Sequence, residues 1–225
     1  MINFKGNQFE REIILWGVRW YVAYPISYRQ LEEMMGERGV SVDHSTLNRW
    51  VIKYAPDFEK AFRHRQCPVG RSWRVDETYV KIKGKWAYLY RAVDKEGHTI
   101  DFLLTPQRDR AAAEAFLHKA IRNQGLPEKI TIDQSGSNTA AIKRYNRTYK
   151  TGIAIRQCKY LNNIVEQDHR AVKRKVRPML GFKSFWAARC TIAGIEVMHA
   201  IRKGQMETTG HVSRTPAEQF YTLAA

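Results

Sequence analysis

The pattern of apolar residues over about residues 8–55 is that of α-helices. A first helix is predicted by an apolar stripe at helical spacing, which consists of Phe9, Ile13, Trp16 and Trp20. A second helix is predicted over residues 28–38, because Leu31, Met34 and Met35 fall on one side of it. Gly39-Val40 interrupts the periodicity, so the second helix is expected to end there.

A third helix is predicted from His44 to Tyr54. Asp43 is a suitable N-cap, and Ala55-Pro56 is expected to end the helix. The inward face is predicted to contain Leu47, Trp50, Val51 and Tyr54. The three helices together form a small module, which is followed by a segment rich in Arg and His over residues 57–72.

Beyond residue 72 the apolar period changes from helical to two. Three strands joined by short turns are predicted at 72–82, 86–93 and 98–104, which is typical of an antiparallel meander. A helix at 109–123 then leads to a strand at 129–133, which is expected to lie parallel to the first strand. The remaining predicted elements are a helix at 137–148, a strand at 152–157, helices at about 162–176 and 184–203, and a terminal helix opened by the capping box Thr215-Pro-Ala-Glu218. This order predicts an α/β, ribonuclease-H-like core, a mixed five-stranded sheet with flanking helices.

The charge of the chain is strongly positive and unevenly distributed. The 225 residues carry a formal charge of +16, and residues 142–225 hold 16 basic and 5 acidic residues, a net charge of +11. Nucleic acid is the commonest partner of such a basic protein, although a solvated basic surface is the ordinary alternative. The expected partner is therefore a nucleic acid.

Several other classes of protein are not favoured by the composition. The 3 cysteines are widely spaced and no CxxC, HxxxH or HExxH occurs, so neither a zinc site nor a disulfide framework is predicted. The apolar runs are too short to span a membrane, and residues 1–12 do not resemble a signal peptide. We expect a cytoplasmic protein without a membrane partner.

Three carboxylates occupy positions that favour phosphodiester chemistry. Asp76 lies in the middle of the first strand, where aspartate is uncommon, and Asp133 ends the strand expected beside it. Glu166 lies on a later helix and completes a triad able to hold two Mg²⁺ (or Mn²⁺) ions. Each acid alone has an ordinary alternative, as a turn former or a surface charge. The combination, in this fold order and basic background, favours catalysis.

Other acidic and basic residues near these three acids are alternative or additional candidates for the site. Asp94 lies in a predicted turn and Asp101 on a remote strand, and Glu77 is expected on the opposite sheet face from Asp76. Lys173 follows Glu166 by seven residues, two helical turns along the same face, where it could hold a DNA phosphate. A solvated charge is the alternative for Lys173, and the stronger one for its neighbours Arg174 and Lys175.

Two long blocks resemble a family of compact bacterial insertion-sequence transposases of the DDE superfamily, which also contains retroviral integrases. Asp76-Glu-Thr-Tyr-Val-Lys-Ile-Lys-Gly-Lys-Trp86 resembles its first catalytic block, and Lys159-Tyr-Leu-Asn-Asn-Ile-Val-Glu-Gln-Asp-His-Arg170 its glutamate block. The resemblance implies that Asp76, Asp133 and Glu166 are the catalytic triad, with Lys173 as the accompanying base. It also implies DNA cleavage and strand transfer, replicative formation of cointegrates, and a homodimer or higher oligomer on DNA.

The chain departs from that family pattern after the second aspartate. Only 32 residues separate Asp133 from Glu166, and Gln134-Ser-Gly-Ser137 replaces the more usual Lys-Ala-Pro. Two other classes remain as alternatives, a DNA-binding regulator with an inactive core and a hydrolytic nuclease. Intact acids at all three positions argue against the first, and the N-terminal helices argue against the second.

The N-terminal helices resemble a helix-turn-helix, whose last helix enters the major groove. The predicted DNA contacts on that helix are His44, Ser45, Asn48, Arg49 and Lys53, and those near the glutamate block are Arg170, Arg174 and Lys175. The predicted domains are a helix-turn-helix DNA-binding domain at 1–56, a linker at 57–72, a catalytic domain at 73–203, and a C-terminal tail with a short helix at 204–225. The expected DNA partners are the terminal inverted repeats of the element and a target duplex.

Overall fold

The computed structural model describes residues 2–133, 136–158, 163–207 and 214–225. The helices are α1 (Arg11–Ala23), α2 (Tyr28–Gly36), α3 (His44–Arg63), α4 (Arg110–Gln124), α5 (Gly136–Tyr149), α6 (Asn163–Val176), α7 (Phe185–Arg202) and α8 (Pro216–Thr222). The strands are β1 (Ser72–Ile82), β2 (Lys85–Asp94), β3 (Thr99–Thr105), β4 (Lys129–Ile132) and β5 (Ala154–Gln157). Within the described ranges, no helix is both long enough and apolar enough to cross a membrane.

The five strands form one mixed sheet in the order β3-β2-β1-β4-β5. β1 pairs antiparallel with β2 through a tight turn in which Lys83 and Gly84 both have positive φ, at 50° and 78°. β2 pairs antiparallel with β3, whereas β4 is parallel to both β1 and β5. The predicted ribonuclease-H-like class is confirmed, including the position of β4 beside the central strand.

One face of the sheet is covered by α4 and α5. The apolar core on this face includes Trp73, Val75, Tyr90, Phe116, Leu117, Ile130, Ile132 and Ile142. Trp73 and Val75 alternate along β1 with Arg74 and Asp76, and side chains on a strand point alternately to its two faces. Asp76 therefore belongs to the opposite face of the sheet, away from the apolar core.

The chain divides into two compact units. One contains residues 1–67 and 172–225, and the other contains residues 68–171, so that the division falls within α6. The sequence pattern predicts a DNA-binding domain at 1–56, a catalytic domain at 73–203 and a tail at 204–225, and these bounds stay predictions. The predicted linker at 57–72 needs a correction, because residues 57–63 are the last two turns of α3.

α3 continues through Pro56, which had been expected to end it. Proline costs a helix one backbone hydrogen bond, about 3 kcal/mol. Seven buried side chains on one face of α3 offset this cost, and they include Phe58 and Phe62 beyond the proline. Burial of each large apolar side chain contributes about 1.5–3 kcal/mol, so tertiary packing outweighs the local effect of Pro56.

The predicted apolar stripe of α1 is wrong by about one residue. Ile13, Trp16 and Trp20 are only partly buried, and the two tryptophans stack against each other with ring centroids 6.1 Å apart. The buried face instead contains Ile14, Leu15, Val18, Tyr21 and Val22. α1 carries apolar residues around most of its circumference, so its periodicity alone could not identify the inward face.

Candidate active site

Asp76 lies in the middle of β1, directly opposite Arg91 of β2 in the antiparallel register. Its side chain is partly buried, with 19% of its surface exposed, and one carboxylate oxygen lies 3.2 Å from Nε2 of His169. The neighbouring sheet position is occupied by a fully buried arginine, because Arg91 has no exposed side-chain surface. Asp76 is therefore an acid held in a polar environment on the face opposite the apolar core.

Asp133 follows β4 directly, at the end of the strand that lies beside β1. The register pairs Trp73 with Ile130 and Arg74 with Thr131. Extension of this register by two residues places Asp133 next to Asp76. The Asp133 side chain is 38% exposed, and one of its oxygens lies 3.9 Å from Nη2 of Arg108. The two aspartates thus come from adjacent strands, as the sequence predicted.

Glu166 lies in the first turn of α6 and is exposed. α6 contacts the sheet one turn later, where His169 reaches Asp76 and the carboxylate of Asp168 lies 2.7 Å from Nη2 of Arg91. Residues three apart on a helix share a face, so Glu166 lies on the same side of α6 as His169. Glu166 is therefore an exposed residue one turn before the contact that His169 makes with Asp76.

The three carboxylates do not form a closed cluster. Among the described residues, the groups whose ligand atoms all lie within 4.8 Å of one another do not include Asp76, Asp133 and Glu166. Their chemistry does fit a divalent metal, since Mg²⁺ prefers oxygen ligands and needs only a few from protein. Gln134, Ser135 and residues 159–162 of the glutamate block lie outside the described residues.

A second polar cluster lies on the other face of β1. Glu77 is buried, forms an ion pair with Arg108 and accepts a hydrogen bond from Asn138 of α5 at 3.2 Å. Burial raises the pKa of Glu77, although the charge of Arg108 opposes this effect. Burial acts to lower the pKa of Arg108, but Glu77 outweighs it and the pKa is raised. Arg108 therefore stays charged between Glu77 and Asp133.

The two competing acids have structural roles. Asp94 accepts hydrogen bonds from the backbone N–H groups of Gly70, Glu96 and His98, and so holds the turn between β2 and β3. Asp101 is buried, with Lys119 at 3.1 Å and a hydrogen bond from Asn123 at 2.8 Å. Neither carboxylate lies at an open position beside Asp76, so the structure gives no reason to place either of them in the triad.

A family model of a DDE domain matches residues 70–205, which is more than half of the chain. The transposase for insertion sequence-like element IS431mec of Staphylococcus aureus is 43% identical over 227 residues, which cover 100% of this chain and 100% of that protein. This chain belongs to the DDE transposase family. It is therefore a polynucleotidyl transferase, an enzyme that transfers phosphodiester bonds.

The transposase is also similar to a second insertion-sequence transposase and, in structure, to an integrase catalytic core. The transposase for insertion sequence element IS257 in transposon Tn4003, also from Staphylococcus aureus, is 42% identical over the full length of both chains. The catalytic core domain of HTLV-2 integrase, solved in complex with magnesium, superposes with a TM-score of 0.46 and 16% identity. That superposition covers 59% of the transposase and 86% of the integrase core.

The basic residues after Glu166 differ in accessibility. Arg170 and Arg174 are exposed, and Lys173 is partly buried. Lys175 was predicted to contact DNA, and this is wrong. Its side chain is buried, and its Nζ donates a hydrogen bond to the carbonyl oxygen of Val22 at 2.9 Å. Burial lowers the pKa of Lys175 to about 8. The lysine is therefore part of the packing of the transposase rather than of its DNA-facing surface.

The predicted DNA contacts of α3 fall into two groups. Ser45, Arg49 and Lys53 are exposed. His44 and Asn48 are partly buried and engaged by α2, since Nδ1 of His44 lies 2.9 Å from Glu32 and Asn48 contacts the Tyr28 hydroxyl. The guanidinium of Arg49 also makes a contact within the helix, because its Nη2 donates a hydrogen bond to Oγ1 of Thr46 at 2.8 Å. Ser45, Arg49 and Lys53 are the most accessible of the five.

Four residues that contribute to this site were not singled out by the sequence. Arg91, Arg108, Asp168 and His169 surround the predicted acids. Arg91 could have been found from the hairpin register, because the turn at Lys83-Gly84 fixes it opposite Asp76. His169 could have been found from its spacing of three residues from Glu166. Arg108 lies in a loop, and no local pattern predicts its contact with Glu77.

Proposed function

We propose that the transposase joins the ends of its insertion sequence to target DNA at a site formed by Asp76, Asp133 and Glu166. The observation that carries this proposal is the position of Asp76 and the docking of α6. Asp76 and Asp133 come from adjacent strands, and Glu166 lies one turn before the contact that His169 makes with Asp76. Carboxylates on two adjacent strands and on the helix that docks beside them suit a chemistry that acts on phosphates.

The proposed cofactor is Mg²⁺ or Mn²⁺, with two ions held by the three carboxylates. When bound, such ions activate the attacking oxygen and stabilise the leaving oxygen of a phosphodiester. The chain's own residues arrange the ligands. His169 lies 3.2 Å from Asp76 and is proposed to position it, and Arg108 supplies positive charge beside Asp133. Lys173, seven residues after Glu166, is proposed to hold a DNA phosphate.

The same proposal includes the DNA substrates and the assembly. The terminal inverted repeats are read by α3, the target duplex is bound through the exposed arginines near Glu166, and two or more copies act together on DNA. Joining proceeds by cointegrate formation. These points rest on the resemblance to the insertion-sequence family and on the surplus of basic residues, a net charge of +11 over residues 142–225.

A strand-transfer assay with element-end DNA and Mg²⁺ tests the triad. Asp76→Ala, Asp133→Ala and Glu166→Ala are each expected to lower joining by about a thousandfold or more, because several kcal/mol of transition-state stabilisation depends on the bound metals. Binding of end DNA without metal should change little. Glu128→Gln is the matched control, since Glu128 is a 71% exposed acid next to β4. Near-normal joining by Asp133→Ala would refute the assignment.

A competition binding assay tests whether α3 reads sequence. Arg49→Ala is expected to weaken binding to element ends more than binding to a scrambled duplex, by about 1–3 kcal/mol for a lost bidentate base contact. Lys173→Ala should instead reduce joining and leave the ratio of the two affinities unchanged, because a phosphate contact does not distinguish sequences. If Arg49→Ala leaves the ratio unchanged, sequence reading by this helix must depend on Ser45 or Lys53.

A further inference from the structure

The hairpin formed by β1 and β2 carries an exposed group of aromatic side chains near its turn. Tyr79 and Trp86 are 51% and 60% exposed, although large aromatic residues usually bury most of their surface. Their ring centroids lie 6.1 Å apart, and Tyr79 also lies 5.6 Å from the ring of Tyr88, its direct cross-strand partner. We call Tyr79, Trp86 and Tyr88 the hairpin platform.

The hairpin platform is surrounded by positive charge. Residues 79–88 contain three lysines, Lys81, Lys83 and Lys85, and no acidic residue. All three lysines are exposed, and Nζ of Lys81 lies 5.9 Å from the centroid of the Trp86 ring. An aromatic surface with a cationic rim differs from an ordinary exposed apolar patch. Lys81, the cross-strand partner of Trp86, shares the face of the rings, and Lys83 and Lys85 lie at the turn beside it.

Fold stability does not account for this arrangement. Of the three rings, only Tyr88 packs against the apolar core under α4 and α5. Tyr79 and Trp86 extend past the end of that core and mainly contact each other and Tyr88. An exposed aromatic pair contributes about 0.5–1.5 kcal/mol, which smaller or polar residues on the strand could replace at little loss.

The chemistry of the hairpin platform fits unpaired nucleotides. Every base has an apolar π-face, which stacks on aromatic side chains, and a phosphate on each side, which lysines neutralise. Bases in an intact duplex are already stacked on their neighbours and do not offer these faces. A second copy of the chain is disfavoured as the occupant, because it also carries a formal charge of +16 and would approach a surface rich in lysine.

The hairpin platform lies close to the candidate active site. Tyr79 is two residues beyond Glu77 on β1 and shares the sheet face of Glu77, whereas Asp76 lies on the opposite face. Arg108 connects the two regions, because it pairs with Glu77, lies 3.9 Å from Asp133 and interacts electrostatically with the Tyr79 hydroxyl. Arg108 therefore provides a positively charged contact between Asp133 and the edge of the hairpin platform.

We propose that the hairpin platform binds an unpaired segment of the DNA substrate, with a base stacked on Trp86 and Tyr79 and its phosphates at the three lysines. This inference deepens the proposed function, since it assigns a place for the single-stranded DNA that strand separation or cleavage exposes. It does not depend on the metal-binding role of Asp76, Asp133 and Glu166.

The test measures binding of the full-length transposase to a fluorescent oligothymidylate and to a blunt duplex of the same length, with EDTA present. Trp86→Ala is expected to weaken binding to the single strand by about 5- to 100-fold, the effect of one lost stacked base. Its affinity for the duplex should change by less than about twofold. Trp86→Phe should restore most of the single-strand affinity, because the replacement ring still stacks.

The matched control is Trp186→Ala. Trp186 is also exposed, at 56%, and has a cation over its ring, with Arg189 at 5.5 Å, but it lies on α7 outside the hairpin. This variant should bind both DNAs as the parent does. An unchanged melting temperature of each variant shows that the fold is intact, as expected for substitutions at exposed positions.

Three results would overturn the proposal. Trp86→Ala could bind the single strand with unchanged affinity. It could lose affinity for the single strand and the duplex equally, which would make the hairpin a general phosphate contact. It could change the molar mass measured by light scattering without changing single-strand affinity, which would make the hairpin an interface between copies. Because no metal is present, loss of strand transfer in the triad variants has no influence on this outcome.

Discussion

The carboxylate of Asp76 has a fixed neighbour in His169, at 3.2 Å. Residues that orient a metal ligand typically change metal affinity or activity by about 10- to 100-fold when removed. His169→Ala is therefore expected to lower strand transfer by about that factor and to raise the Mg²⁺ concentration needed for half-maximal joining. His169→Gln should recover part of the loss, because its amide can still approach Asp76.

His118 provides the control for this prediction. It lies on α4, where its ring contacts Tyr145 with centroids 5.0 Å apart, away from the acids. His118→Ala should keep the normal Mg²⁺ dependence. A His169→Ala variant with unchanged Mg²⁺ dependence and reduced joining would show that His169 acts only by supporting the fold.

Lys175 should make the stability of the protein depend on pH in the alkaline range. Its pKa is lowered to about 8 in the folded state, from an ordinary value of 10.5, because burial disfavours the charged form. Between these values the unfolded chain binds more protons than the folded one, so the free energy of unfolding rises with pH. Below about pH 8 the lysine is charged in both states and the full cost of its burial is present.

The measurement compares the parent with Lys175→Met by urea unfolding from pH 7 to pH 10.5. The parent should gain about 3 kcal/mol relative to the variant across this range, because each pH unit between the folded and unfolded pKa values changes the free energy of unfolding by about 1.4 kcal/mol. A constant difference between parent and Lys175→Met would contradict a lowered pKa.

At single positions, the sequence predicted the chemical character of a residue better than its exposure to solvent. The interpretation of Asp76 as an unusual strand acid required only the pattern of β1, and the opposite orientation of Glu77 followed from strand alternation. Lys175 could not be interpreted in that way. Its neighbours Lys173 and Arg174 suggested a solvated run of cations, whereas its burial depends on Val22, which is 153 residues away in the chain.

Among the elements, α7 packs tightly against α1 and α3 at Gly194. A Cβ atom at this position would lie 2.7 Å from Cγ1 of Val22 on α1 and 3.1 Å from Cβ of Ala55 on α3. Gly194→Ala is expected to introduce about 1–3 kcal/mol of strain, which exceeds the gain of up to about 1 kcal/mol in helix propensity. The free energy of unfolding should therefore fall.

Gly36→Ala is the matched control in the same unit. Gly36 lies at the end of α2, and a Cβ there would meet nothing within 4 Å. This substitution should leave the free energy of unfolding unchanged or raise it by up to about 1 kcal/mol. Equal stability changes for the two variants, measured by denaturant unfolding, would mean that the helices around Gly194 are less tightly packed than described.

The order and type of the elements followed from the sequence, while several of their limits and faces did not. Alternating and helical periods identified all five strands and the helices that connect them. The end of α3 and the inward face of α1 were wrong because both depend on packing within the unit that contains them. Local signals such as Pro56 and the Trp16–Trp20 stripe cannot report the burial of Phe58, Phe62 or Ile14.

For the whole molecule, the positive charge should make DNA binding sensitive to salt. Each phosphate neutralised changes the slope of log K against log salt by about −0.9. We expect affinity for unrelated duplex to fall steeply as salt is raised. Arg170→Gln and Arg174→Gln should each reduce the slope by about 1, because both side chains are exposed, whereas Lys175→Met should not. If the affinity for DNA hardly changed with salt concentration, the basic surface would not contribute to DNA binding.

The unit that joins residues 1–67 to 172–225 also determines when the protein can fold during its synthesis. α3 emerges from the ribosome with Ala55 and Phe58 uncovered, and their partners Gly194 and Phe220 follow only after the 104 residues of the other unit. At about 5–20 residues per second, the wait is on the order of ten seconds. We expect residues 1–67 alone to lack stable helical structure by circular dichroism. A nonsense codon just before α7 would thus disable helices that were encoded, and translated, long before it.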